Sequence, residues 1–422
     1  MERSLFRDRD FRLVAGSVGL SALGDWVAIV ALGLFIGEQT DSGWLVAALW
    51  ICLFGPSIVV SGFAGVLVDR IETTRLLAMV SAAGAVVAAA LAFVSAVPLA
   101  LGLTALLGVV FAVSQPAEFA LVPPLAGSRV QEANGHVETA RYVGFGIGPL
   151  VGAGLYSLGG LELAMLVDAA TFAAVALAAR ALRIKRAPNE LAEGEQAPRA
   201  RDGIACLYRD STLSLVMTVA FASLLFMSAV WVGELFFVED VLEMGDLAYG
   251  SMFSVWTVGM ALGAMLLSRR VAVTTLAVAG LAAATIQGAS LALPALWLSF
   301  AFFLACAFVG GTAHGVKNVM YRSLIHVRVP EDLHGRAFAA YNAIRNTAEL
   351  GAFAAGGLLV TAIGPRGTLA YAGGLSALAG VVGLLALLRL KESEPPTEIA
   401  SVPPELGTET DGLRNEDSRH RA

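Results

Sequence analysis

Polar residues fall in short clusters along this chain, and long stretches between them carry almost none. A helix crossing the ~30 Å hydrocarbon core of a bilayer needs about 20 mostly apolar residues. Twelve stretches meet that requirement, over residues 11–36, 44–68, 76–96, 99–120, 137–158, 161–182, 213–238, 247–268, 271–293, 295–320, 337–363 and 368–390. The pattern predicts twelve spanning helices, here spans 1 to 12. The thinnest separations are Ser95 to Pro98, between spans 3 and 4, and the stretch around Pro294, between spans 9 and 10. Span 1 follows several arginines, as a secretion signal does. It is too long for one, and no small-residue cleavage pattern follows, so it reads as a mature helix.

Lys and Arg mark the cytoplasmic side of membrane helices. Arg3, Arg7, Arg9 and Arg12 precede span 1, Arg70 and Arg75 join spans 2 and 3, and Arg129 joins spans 4 and 5. Arg183, Lys185, Arg186, Arg199, Arg201 and Arg209 join spans 6 and 7. Arg269 and Arg270 join spans 8 and 9, and Arg322, Arg328 and Arg336 join spans 10 and 11. The alternate loops carry one base, Arg366, and after span 7 they carry Glu239, Asp240, Glu243 and Asp246. An even number of spans with both termini cytoplasmic fits this distribution.

Composition sharpens the picture. Of 422 residues, 57% are hydrophobic and 15% charged, with a mean hydropathy of +0.73. A soluble domain is nearer a quarter charged, which excludes an ordinary water-soluble enzyme. A disordered chain needs the opposite composition. The net charge of -6, with no basic face or arm, carries no nucleic-acid signature. Cys52, Cys206 and Cys306 lie too far apart for a zinc or disulfide framework. The 45 glycines suit close helix contact in lipid.

The one long polar stretch between spans, with Pro188 and Pro198, divides the chain. Residues 1–182 form an N-terminal six-helix bundle, 183–212 a cytoplasmic linker, 213–390 a C-terminal six-helix bundle and 391–422 a disordered cytoplasmic tail. Within the linker, Ile204 to Tyr208 reads as a short interfacial helix. The halves echo each other. Leu5-Phe6-Arg7-Asp8 before span 1 matches Leu207-Tyr208-Arg209-Asp210 before span 7, an offset of 202. Arg141 and Arg345 are 204 apart, and at that offset Gly152 falls on Gly356 and Leu155 on Leu359. A six-plus-six parallel repeat is a transporter plan, with substrate held between the halves near the midplane.

Several stretches carry a family resemblance. They are Leu5 to Arg12 followed by Gly24-Asp25-Trp26, and Gly65-Val-Leu-Val-Asp69-Arg70 with Arg75. Gln115-Pro116-Ala117 through Val122-Pro123, then Glu132-Ala133-Asn134, and Gly144-x-Gly-x-Gly148-Pro149-x-x-Gly152 complete the set. On these the chain resembles the major facilitator superfamily and, within it, the branch of macrolide- and siderophore (enterobactin)-exporting permeases. The signature's two further basic positions in loop 2–3 are Thr73 and Thr74 here. The resemblance covers the spans and not the tail. It implies an all-α integral membrane protein whose twelve helices form two pseudo-symmetric six-helix bundles, the major facilitator fold. It also implies that loop 2–3 (Gly65, Asp69, Arg70, Arg75) makes contacts that stabilise one access state and break in the other. The plainer reading of that loop is a set of charges obeying the positive-inside rule.

Asp25 lies about 14 residues into span 1, roughly 20 Å from its cytoplasmic end and near mid-bilayer. A carboxylate there costs several kcal/mol unless paired, hydrated or protonated. A carboxyl that loads and releases a proton would couple the proton gradient to transport. The alternative is a structural carboxyl bonded to a neighbouring helix. Glu118, Glu138 and Arg141 form a second group, with Glu118 and Arg141 expected at similar depth in the cytoplasmic third. Arg345 and Glu349 share one face of span 11 at i and i+4. Lys317 lies near the cytoplasmic end of span 10, and His314 one turn deeper. These read as pairing or gate residues more readily than as substrate ligands, and Lys or Arg near a helix end also snorkels. Asp168 and Glu234 receive no role. Gly148-Pro149 with Gly152 predicts either a kink with close packing across the halves or general helix packing in the bilayer, since both use the same physics. Trp26, Trp50, Phe54, Trp231 and Trp256 either line an apolar cavity or pack against lipid, whereas Trp44 and Trp297 read as interface anchors.

No phosphate-binding Gly-x-x-x-x-Gly-Lys-Ser/Thr loop and no zinc-protease His/Glu spacing occur. The expectation is a secondary transporter of the inner membrane, not an enzyme and without cofactor, metal or nucleic-acid partner. It would export an amphipathic small molecule (drug, macrolide or siderophore-like) against protons, as a multidrug-type antiporter; a monomer is one reading, and the sequence leaves the oligomeric state open. The alternatives are a lysophospholipid- or lipid-translocating permease of the same fold, and a membrane sensor or scaffold without flux.

Overall fold

The computed structural model describes residues 5–40, 42–184, 200–267, 275–330 and 333–393. Among these residues all regular structure is helical. Four helices each hold one predicted span: α1 (Arg9–Gln39), α2 (Gly43–Arg70), α3 (Thr73–Leu91) and α4 (Val97–Ala120). The short α5 (Val122–Ala126) leads into α6 (Val130–Ala181). Beyond the short α7 (Ala200–Leu207) come α8 (Ser211–Phe236), α9 (Asp246–Leu267), α10 (Leu276–Ala292), α11 (Phe300–Arg328) and α12 (His334–Ser393).

Two of these helices are too long for one crossing. α6 has 52 residues and α12 has 60, against about 20 for a bilayer. Each is broken by glycine. Gly159 and Gly160 leave helical geometry in α6, with φ of +62° at Gly160, and Gly364 does so in α12 with φ of +71°. That left-handed backbone costs an L-residue roughly 1–2 kcal/mol, so glycine lets the chain reverse with almost no loop. The two broken helices supply spans 5 and 6 and spans 11 and 12, which brings the crossing segments among the described residues to twelve.

α1 lies between the two arms of α6. Gly144, Gly148 and Gly152 on the first arm meet Gly19, Leu23 and Val27 in parallel order. The second arm runs back along α1, from Asp168 beside Gly24 to Ala181, whose carbonyl accepts from Arg9. α8 lies in α12 in the same manner. Gly351 and Gly356 meet Leu225 and Ala229, and on the returning arm Ser376 meets Ser223 at 2.9 Å. The contact of Gly152 with Val27 therefore recurs as the contact of Gly356 with Ala229. The echo before each half also has a physical cause. Asp8 caps α1, accepting from the Asp10 and Phe11 amides, and Asp210 caps α8, accepting from the Leu213 amide. Such a cap contributes about 1 kcal/mol.

At the Glu38 end a single apolar core joins both helix sets, with Leu34, Trp50 and Tyr156 from the first and Val230, Tyr249 and Phe353 from the second. At the end bearing Leu5 the core divides. One part surrounds Phe11, Leu77 and Val137, and the other surrounds Met217, Leu281 and Tyr321. The helix sets are thus sealed together at one end and parted at the other.

Some boundaries differ from the apolar runs. Span 10 ends at 320 by hydropathy, yet α11 continues to Arg328. Hydropathy marks where lipid ends, whereas helix hydrogen bonding continues into the polar region beyond. Span 9 was expected from 271, but 271–274 lie outside the described residues and α10 begins at Leu276. The linker residues 185–199 and the tail beyond 393 also lie outside them.

Candidate substrate and proton site

α1 carries Asp25 halfway along its length. The carboxyl Oδ1 is buried and has no hydrogen-bond partner among the described residues. The preceding residue explains its surroundings. A methyl group at Gly24 would collide with Thr171 Oγ1 and stand 2.6 Å from Asp168 Oδ1, so only glycine lets α1 press so closely on α6. Thr171 donates to the Asp168 carbonyl at 2.8 Å, and Asp168 Oδ2 is buried with no hydrogen-bond partner among the described residues. Glu118 on α4 and Arg141 on α6 meet with Nη2 to Oε2 at 3.4 Å. The two side chains are almost fully buried, at 6% and 9% exposure. The Arg141 guanidinium also lies 4.5 Å from the centre of the Phe119 ring, a cation–π contact. Asp25 feels Asp168, Glu118 and Arg141. Three carboxyls thus share one cation inside the first helix set.

The second set carries the opposite balance. On α11, His314 Nδ1 lies 3.1 Å from Gln287 Nε2 of α10, and that amide also touches the Met227 sulfur. Lys317 is 2% exposed, and its Nζ has no hydrogen-bond partner among the described residues. On α12, Arg345 Nε lies 3.5 Å from Glu349 Oε1, with the two side chains 35% and 24% exposed. Lys317 feels both Glu349 and Arg345. Tyr142 of α6 feels Glu138 and Arg141 from its own helix, and Arg322 and Arg345 from across the cleft.

Above these charges a cluster of aromatic rings closes the cleft. Trp50 of α2 lies 5.3 Å from Trp231 of α8 and stacks at 5.5 Å on Phe353 of α12. Trp26 of α1 lies 5.2 Å from Phe253 of α9. Phe54 stacks beside Trp50 at 5.9 Å. The rings come from both helix sets, and the Trp50 indole N–H is buried without an acceptor among the described residues. Trp256 packs instead on the His314 ring at 5.8 Å. Trp44 and Trp297 are exposed.

The remaining predicted residues lie elsewhere. Gly65, Asp69 and Arg70 have side chains outside the described residues, although the α2 backbone continues to Arg70. Arg75 is exposed in the first turn of α3, where its amide donates to the capping Glu72 carboxylate at 3.2 Å. The backbone of α6 stays helical through Gly148-Pro149, and its break falls at Gly159 and Gly160. Gly148 and Gly152 pack on α1 of their own set. The contact across the sets comes from the adjacent face, where Pro149 and Ala153 meet Gly250 of α9.

Sequence reasoning gave Asp168 no role, although its position mid-span marks a costly intramembrane charge. It also missed a polar group at the sealed end. There Tyr156 donates to Glu38 Oε2 at 2.6 Å, Ser157 donates to Asp246 Oδ2 at 2.9 Å, and Glu239 feels Glu38, Asp240 and Asp246. Loops rich in acid were visible in the sequence. Their convergence depends on how the helix sets meet.

The whole fold has close counterparts. The crystal structure of nucleoside transporter NupG superposes with a TM-score of 0.70 at 14% identity, covering 92% of this chain and 100% of that one. The human organic anion transporter MFSD10 (TETRAN) gives 0.64 at 15%, covering 90% and 100%. A bacterial homologue of the iron transporter ferroportin, in an inward-facing state, gives 0.67 at 15%, covering 92% and 99%. At such identities these likenesses establish the fold alone. No curated protein matches the chain by sequence. The sequence model of the Major Facilitator Superfamily matches residues 14–352, from early in α1 into the first arm of α12. A multi-pass chain with crossing segments in paired sets, buried charges at mid-membrane and a match over most of its length belongs to the Major Facilitator Superfamily.

Proposed function

We propose that this protein is a proton-coupled secondary exporter of an amphipathic small molecule. Two bundles, 1–182 and 213–390, rock about the central cleft, with 183–212 as the cytoplasmic linker. Both termini face the cytoplasm of the inner membrane, as the Lys and Arg distribution supports. The parted end that bears Leu5 then faces inward, and the sealed Glu38 end faces outward.

The observation that carries the reading is Asp25. Its carboxyl is halfway along the helix, with one oxygen buried and without a hydrogen-bond partner among the described residues and with Asp168 and Glu118 close enough to feel it. Three clustered carboxyls with one guanidinium cannot all be ionised without a large electrostatic cost. A proton is the simplest neutraliser, and its binding and release change the net charge that each access state must bury. Substrate held under the aromatic rings would then leave in exchange for a proton entering from outside. ATP is not needed within this chain, in keeping with the absence of a phosphate-binding loop.

The test is transport in proteoliposomes with an imposed pH gradient. Asp25→Asn should abolish gradient-driven efflux while sparing counterflow, which needs binding and rocking but no net proton movement. Gradient-driven efflux at wild-type rate in Asp25→Asn would remove Asp25 from coupling.

A further inference from the structure

We infer that the transported molecule carries an acidic group (carboxylate, phosphate or sulfonate) that Arg345 receives, freeing Glu349 to neutralise Lys317. The inference rests on the transport reading only in taking the cleft as the substrate's place.

The argument is one of charge and hydrogen-bond balance. Lys317 and Arg345 share one carboxylate, Glu349. Glu349 approaches Arg345 at 3.5 Å, and among the described residues neither Arg345 Nε nor Lys317 Nζ has a hydrogen-bond partner. A buried ammonium without a partner costs several kcal/mol. One further anion at this place would give Lys317 and Arg345 a partner each. Arg345 can offer its planar fork to the incoming acid, the geometry guanidinium holds best. Glu349 is then released toward Lys317, which lies deeper. The accessibilities agree, because Arg345 and Glu349 are partly open to the cleft and Lys317 is closed off behind them.

The same helix face says what the rest of the molecule is. Arg345, Glu349 and Phe353 follow at i, i+4 and i+8 on one face of α12. Phe353 is a member of the ring cluster, 5.5 Å from Trp50. Eight residues of helix rise about 12 Å. The acidic group would therefore sit roughly 12 Å from a ceiling of Phe353, Trp50 and Trp231, the length of a bicyclic aromatic body. An aromatic organic anion matches both ends.

The test uses the purified full-length protein and an isosteric series: 2-naphthoate, 2-naphthyl phosphate and the neutral 2-naphthamide. Binding is read by tryptophan fluorescence and by the shift of the thermal unfolding midpoint. The two anions should bind about tenfold or more tightly than the amide, the value of a charge-assisted hydrogen bond. Arg345→Gln and Lys317→Met should each erase that preference while leaving amide affinity within about twofold, and Lys317→Arg should keep it. Lysophosphatidate and inorganic phosphate as competitors identify the source of the acid. Displacement by the lipid alone assigns a lipid headgroup, and displacement by both assigns the acid itself. Equal binding of anion and amide by wild type, or an undiminished preference in both charge-removing variants, overturns the inference. Asp25→Asn should keep the anion preference. Lost proton coupling with an intact preference therefore counts against nothing here, while a missing preference with intact coupling overturns this inference alone.

Discussion

Ser157 of α6 donates a 2.9 Å hydrogen bond to Asp246 of α9 and so ties the two helix sets together at their sealed end. The bond is exposed, so its contribution is about 1 kcal/mol and not the larger value of a buried charged bond. Ser157→Ala should shift the opening equilibrium of that end by roughly fivefold. A cysteine placed at the buried Ala248, with the three native cysteines replaced, reports this through its maleimide labelling rate. An unchanged rate would show that the apolar core alone holds the end closed.

Gly148 is packed against Leu23, where a methyl group would stand 2.8 Å from the Leu23 carbonyl oxygen. The obstacle is backbone and cannot swing aside. Gly148→Ala should therefore destabilise the protein by about 1–3 kcal/mol. Gly102 on α4 has nothing within 4 Å of the same position. Gly102→Ala should be neutral or stabilising by about 0.5–1 kcal/mol, the helix-propensity gain. Thermal midpoints of the two variants in one detergent compare them directly.

Glu118 and Arg141 are a buried pair in which each partner covers the other's charge. Removing one should cost about 3–5 kcal/mol, because a charge is left uncompensated. Glu118→Leu combined with Arg141→Met should cost much less than the sum of the single changes. Unfolding of the singles and the double in a double-mutant cycle gives the coupling. Additive losses would mean that the two residues do not act as a pair.

The sequence made the membrane, the twelve crossings and the repeat legible, because each depends on properties local to the chain. Apolar length sets a span, and the matched Asp8 and Asp210 do the same capping work at each half. Depth was legible too, since Glu118 and Arg141, expected at one level, do meet. What the sequence hid is what only packing decides. Gly24 reads as one of many membrane glycines until Asp168 and Thr171 are found against it. Asp168 had no role because its partner helix was unknown. Trp50, Trp231 and Phe353 lie far apart in sequence and form one ring cluster only because α2, α8 and α12 converge. The glycine breaks at 160 and 364 were hidden for another reason, since a positive φ leaves no mark in hydropathy.

Rocking of two bundles about a central cleft is tested most directly by distances measured at both ends of one molecule. Spin labels at Gln39 and Leu296 report the sealed end, and labels at Arg180 and Arg336 the parted end, all four positions being exposed. Glu239 lies among Glu38, Asp240 and Asp246 at the sealed end, and burial together with these acidic neighbours pushes its carboxyl up to about 7. Raising the pH from about 5 to about 8 should therefore ionise Glu239 beside those neighbours and push that end open. In nanodiscs, double electron–electron resonance should then show the Gln39–Leu296 distance lengthening while the Arg180–Arg336 distance shortens. Two distances that change in the same direction, or that stay fixed across this pH range, would contradict alternating access in this chain.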